Sequence, residues 1–107
     1  MNNQNTSYTF GQLGSAYLGT ASVNFDPPTG QVIVSILSLD NATEFHTLTP
    51  DNDTSNTAFA GSTVTTENGT NADTWPVTET LDAGISIFGR WSRVQLDAGA
   101  VIMYFGY

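Results

Sequence analysis

The stretch from Leu81 to Tyr107, LDAGISIFGRWSRVQLDAGAVIMYFGY, constrains the fold more than any other part of the chain. It holds two long runs rich in β-branched and aromatic residues, free of proline and joined by a short turn. Such side chains suit a pleated, half-buried surface. In the first run Ile85, Ile87, Trp91, Val94 and Leu96 supply the apolar positions. Gly89 breaks their alternation, so a bulge and a bend are expected there. Asp97-Ala98-Gly99 predicts a three-residue hairpin loop with Gly99 at positive φ. The second run, Val101-Ile102-Met103-Tyr104-Phe105, is apolar on both faces, as in a strand buried on both sides, or once by its own chain and once by a partner.

The rest of the chain reads the same way. Tyr17 to Phe25 is strand-like but interrupted by Gly19, and Asp26-Pro27-Pro28-Thr29-Gly30 is a strong turn. Gln31 to Leu39 is apolar on both faces and is the best central strand. Asp40-Asn41-Ala42 turns it towards Glu44 to Leu48, which predicts a second hairpin. Thr49 to Asn56 reads as loop, and Thr57 to Thr66 as a strand broken at Gly61. Asn68-Gly69 fits a two-residue hairpin turn or a longer loop, and Trp75-Pro76-Val77 is expected to pack on the edge of the core. No heptad or 3.6-residue period emerges, and turn signals recur roughly every eight to twelve residues. The expectation is an all-β chain: a small antiparallel β-sandwich or barrel-like domain over residues 8–107, ending in a C-terminal β-hairpin. Residues 1–7 are polar and read as an N-terminal arm, loose unless a neighbour holds it.

Charge narrows the partners. Ten carboxylates face two arginines and no lysine, giving a formal net charge of −8 over 107 residues. That field opposes nucleic acid and anionic membrane surfaces, so neither is expected as a partner. The chain has no cysteine, which removes disulfides and thiolate metal sites and suits assembly in a reducing cytoplasm. The start, MNNQNTSYTF, lacks the basic and apolar regions of a secretory signal. No run approaches the ~18 apolar residues of a spanning helix.

Residues that could carry chemistry are few. His46 is the only histidine and reads as a surface residue of a strand beside Glu44. Zinc and iron sites would have almost no ligands to draw on. Asp51-Asn52-Asp53-Thr54-Ser55-Asn56 resembles the first half of a calcium loop, with Asp51, Asp53 and Ser55 as oxygen ligands at alternate positions. Asn56 stands where such a loop needs glycine, and Ser62 where it needs its last acid, so a solvated acidic loop is favoured. Most other carboxylates fall in turns, where they satisfy backbone donors and keep the surface soluble. No catalytic residue, no cofactor and no enzymatic activity are expected.

The two arginines stand out. Arg90 and Arg93 flank Trp91-Ser92 in one run, and their odd spacing would send them to opposite faces of an unbroken strand. Two readings stand level. In one, an arginine reaches a neighbouring subunit, since Arg and Trp concentrate at interface hot spots. In the other, both form pairs within the chain, stacked on Trp91 or Tyr104. The interface candidates are Arg90, Trp91, Arg93, Tyr104, Phe105 and Tyr107.

Gly89-Arg90-Trp91-Ser92-Arg93-Val94, followed by Leu96, Gly99, Val101-Ile102, Tyr104 and Gly106, resembles the C-terminal end of small structural proteins of tailed bacteriophages, especially phages of marine bacteria and cyanobacteria. The resemblance covers about a quarter of the chain and names no catalytic residue. It implies a virion component: a capsid decoration (cement) protein, with a tail- or fibre-associated protein as the alternative. Decoration proteins of that kind are small β-rich domains that form homo-oligomers, often trimers, on the major capsid protein. A different reading of the residues is a carbohydrate-binding β-sandwich that uses Trp75, Trp91 or the tyrosines as stacking platforms.

Overall fold

In the computed structural model the described residues are 13–51, 59–63 and 68–107. They form seven strands: β1 (Ser15–Leu18), β2 (Asn24–Phe25), β3 (Val32–Ser38), β4 (Thr43–Pro50), β5 (Thr80–Leu81), β6 (Ser86–Ala98) and β7 (Val101–Gly106). All pairings are antiparallel, and the strands belong to one sheet in the order β1-β7-β3-β6-β4-β5, with β2 also on β6. The chain is all-β, as its composition implied. The N-terminal arm over residues 1–7 lies outside the described residues.

β6 organises the sheet because it serves two layers. Its first half, Ser86 to Trp91, pairs with β3, and its second half, Trp91 to Ala98, pairs with β4. Ser86 lies opposite Leu37 and Ala98 opposite Glu44. Both ends of β6 therefore come back to the place where β3 passes into β4, and the strand must fold over near Trp91. Its registers show how. Between Ile33↔Trp91 and Ser35↔Phe88, Gly89 and Arg90 together face the single residue Val34. Ser92 is surplus between Thr49↔Arg93 and Pro50↔Trp91, and Asp97 is surplus between Glu44↔Ala98 and Phe45↔Leu96. Each bulge adds bend and right-handed twist. The bulge expected at Gly89 is present, and a Cβ there would lie 2.7 Å from the Trp91 ring.

The folded sheet encloses one core. Ile33 and Ile36 of β3, Phe45 and Leu48 of β4, Trp91, Val94 and Leu96 of β6, and Val101, Met103 and Phe105 of β7 are buried together. Burying a side chain of this size is worth about 1.5–3 kcal/mol. Trp91 also satisfies its indole N–H, which donates to the Ala60 carbonyl at 2.7 Å. Phe25 of β2 stacks on Phe105 of β7 with ring centroids 5.9 Å apart, a direct contact between the two layers.

Both expected hairpins are absent. Gly99 has φ +87°, as its place in the turn required, yet β6 and β7 share no ladder. β7 instead takes the edge of β3 that β6 leaves open. Likewise Asp40-Asn41-Ala42 reverses the chain, but β4 pairs with β6 and β5, not with β3. The cause lies in β3, whose apolar character on both faces gives it the central place with a partner on each edge. β6 and β7 fill both edges, so the next strand must cross to the other layer. The two crossings nest together: the Leu39 amide donates to the Ala100 carbonyl at 2.9 Å. Across the β3–β4 crossing the Ser38 hydroxyl donates to Thr43 Oγ1 at 2.9 Å, with both side chains fully buried.

Three further expectations change. The break at Gly19 is a change of partner, since β1 joins β7 while β2 joins β6. The strand expected over 57–66 is not formed at its described residues 59–63. There Ser62 donates its amide to the Leu48 carbonyl at 2.7 Å, and Trp75 donates to the Gly61 carbonyl at 2.7 Å, single bonds in place of a ladder. Gly69 has φ +102°, but no strand flanks Asn68-Gly69 among the described residues, so the longer loop is the form adopted. Trp75 packs on the core as expected, edge-on to Phe45.

Candidate functional site

The fold of β6 explains where the arginines go. β2 and β3 run one after the other along the same edge of β6, and Asp26 to Gly30 carries the chain around the corner between them. Arg93 holds that corner with a two-pronged contact, Nε donating to Asp26 Oδ1 at 2.8 Å and Nη2 to Oδ2 at 3.1 Å. The hydrogen bond from Arg93, helped by its positive charge, holds the Asp26 carboxyl below the usual aspartate range although desolvation works against it. The same bond raises the Arg93 guanidinium above its ordinary value.

Arg90 does the corresponding work at the other strand ends. Its Nη2 donates to Asp51 Oδ2 at 3.1 Å, just past the end of β4, and its Nη1 donates to the main-chain oxygen of Tyr107, just past the end of β7. Its carbonyl accepts from the Asp51 amide at 2.8 Å. Of the two level readings, pairing within the chain is the one this geometry displays for both arginines. The opposite-face argument assumed an unbroken strand, and the surplus residue Ser92 removes that premise.

The remaining interface candidates divide. Trp91 and Phe105 belong to the core, Tyr104 is half-buried, and Tyr107 is 67% exposed. Burial also removes Trp91 as a sugar-stacking platform. Of the calcium-loop candidates, Asp51 is engaged by Arg90, while Asp53 and Ser55 lie outside the described residues. Among the described residues no group of three or more His, Asp or Glu side chains converges as metal ligands would. His46 is exposed, with Nδ1 3.3 Å from Asp97 Oδ1.

What the sequence reading missed is a recess beside Arg90. Val34, Ser35, Phe59, Phe88, Gly89, Arg90 and Tyr107 line an open, mainly apolar groove of about 340 Å³. Phe88, opposite Ser35 in the ladder, stands at its side and is 73% exposed. An apolar ring that protrudes from a strand next to an apolar recess makes this the candidate site among the described residues. The signal available in the sequence was Phe88 immediately before Gly89: a bulge after an aromatic residue re-aims the side chain next to it. Ser35 offers a hydroxyl at the groove wall, and the Arg90 charge is largely spent on Asp51.

Comparison with known proteins finds no matching family model, no matching curated protein and no matching solved structure.

Proposed function

We propose that this protein is a non-enzymatic structural component of a tailed-phage virion, a decoration protein that associates with itself and with the major capsid protein to stabilise the shell. The observation that carries the reading is the groove flanked by Phe88 and Tyr107, which takes in Gly89 and Arg90 of the segment that bears the phage resemblance. The few residues with reactive potential support a structural role. Arg90 and Arg93 clamp the fold, and His46 is set against Asp97 at a bulge. The acidic exterior, formal charge −8, suits a particle in salt water and a protein that must not bind the packaged nucleic acid.

The test is quantitative mass spectrometry of purified virions, with capsids and tails fractionated. Decoration requires the chain at a fixed, high copy number on capsids, and particles lacking it should lose heat resistance that added protein restores. Recovery with tails would move the role to the tail or its fibres. Absence from both fractions would sink the virion reading.

A further inference from the structure

We infer that Asn68 is a site of spontaneous deamidation: in the folded protein the main-chain nitrogen of Gly69 closes on the Asn68 side-chain amide, and the loop gains a carboxylate. The inference is independent of the virion reading. Asparagine is a thermally labile side chain, and Asn68 is the only asparagine of this chain that precedes a glycine. With no Cβ on the following residue, nothing crowds the attacking nitrogen and the backbone can swing towards ring closure. The fold leaves that freedom intact. Gly69 is exposed, and a Cβ placed on it would meet nothing within 4 Å. Its amide donates to no described residue, so the nucleophile is not held in a hydrogen bond there. Asn68 is half-buried, while residues 69–74 that follow it are exposed and belong to no strand.

The other described asparagines lack these conditions. Asn24 lies in β2, paired with β6, and the bulky Phe25 follows it. Asn41 has its Oδ1 held by the Ala83 amide at 3.1 Å, and Ala42 follows. Asn71 shares the exposed loop but precedes Ala72, whose Cβ crowds the nitrogen. The step itself needs only water. The Gly69 nitrogen gives its proton to solvent and bonds to Asn68 Cγ, the Cγ–Nδ2 bond breaks, and Nδ2 takes up a proton and leaves as ammonia. Water then opens the cyclic imide at one carbonyl or the other, giving aspartate or isoaspartate, with nothing oxidised or reduced. Either product is one charge more negative than the −8 of the starting chain. Residues 69–74 hold neither a ladder nor a core side chain, so the sheet survives the change.

The test is incubation of the full folded chain in mildly alkaline buffer, read by isoelectric focusing, peptide mapping and isoaspartate labelling. Circular dichroism is recorded alongside. The expected result is an acidic species, one charge more negative, that accumulates with time and maps to residue 68 as mixed aspartate and isoaspartate with the spectrum unchanged. Conversion at residue 68 should be lost in Asn68→Gln and slowed several-fold in Gly69→Ala, whose added Cβ has open space around it. Each of four results would overturn the inference. They are no conversion at residue 68, conversion there only after unfolding in urea, earlier conversion at Asn24, Asn41 or Asn71, and an undiminished rate in folded Gly69→Ala.

Discussion

His46 and Asp97 are each the surplus residue of a β-bulge, one on β4 and one on β6, and their side chains meet at 3.3 Å. The two bulges cancel. Glu44 faces Ala98 and Phe45 faces Leu96, so β6 is one residue ahead; Thr47 then faces Gln95, and the count is restored. Phe45 and Leu48, three positions apart, both point inwards because His46 is surplus between them, whereas Val94 and Leu96 share that face by plain alternation.

The registers predict a contrast between deletions. Removing His46 takes out only a surplus residue: the other pairs are kept, and Phe45-Thr47-Leu48 then alternates with Phe45 and Leu48 both inwards. Removing the paired residue Gln95 makes Val94 and Leu96 neighbours on opposite faces and turns a core side chain outwards. The Gln95 deletion should therefore cost about 1.5–3 kcal/mol or more, the scale of exposing a large apolar side chain, and the His46 deletion clearly less. Thermal unfolding of the two variants checks this, and equal costs would show that His46 is not surplus.

Gly30 and Gly99 both have positive φ, at +81° and +87°, but their surroundings differ. A Cβ on Gly30 meets nothing within 4 Å, whereas one on Gly99 would lie 2.7 Å from Thr43 Cα. Gly30→Ala should therefore cost only the left-handed backbone penalty, about 1–2 kcal/mol. Gly99→Ala adds a backbone clash at the nested crossings and should cost about 2–5 kcal/mol in all. Urea denaturation of the two variants gives the comparison; equal costs would mean that the crossings are not tightly nested.

The Arg93–Asp26 contact predicts a pH dependence of small amplitude, since both side chains are about half exposed. Folding depresses the Asp26 pKa. The stability this contributes is present above the ordinary aspartate pKa and is lost as pH falls through the depressed value. The advantage of wild type over Asp26→Asn should thus be full at neutral pH and shrink below about pH 4. Denaturation midpoints across that range measure it, and a difference that stayed constant down to strongly acid pH would count against the contact.

The tryptophans differ in access. Trp91 is 1% exposed and bonded to Ala60, while Trp75 is half-buried at the core edge. Acrylamide should quench one component of the wild-type emission and spare the other. In Trp75→Phe the emission that remains should be the protected one. Free quenching of that variant would contradict the burial of Trp91.

Much of this fold is legible residue by residue in the sequence. The doubly apolar Gln31–Leu39 run does become the central strand, Gly89 does mark a bulge, and Gly99 does take positive φ. Local chemistry fixes such features, because turn residues and alternation act within a few positions. The hairpins failed for a reason no local rule contains. A turn reverses the chain in the same way whether the next strand pairs beside the last or crosses to another layer. The pairing of the arginines was not legible for a related reason: their partners Asp26 and Asp51 are remote in sequence and reach β6 only once it folds over. Phe88 before Gly89 signals only that a side chain is re-aimed; that Phe88 is the exposed one depends on how the bulge sits against β3.

The sequence by itself determined the all-β class, the acidic character and the places where the chain turns, since these follow from side-chain shape, charge and backbone freedom at each position. Tertiary structure alone decided the pairing. β3 has two edges, β6 and β7 occupy both, and β4 must go elsewhere. From that competition follow the folding-over of β6, the clamps of Arg90 and Arg93, and the groove beside Phe88.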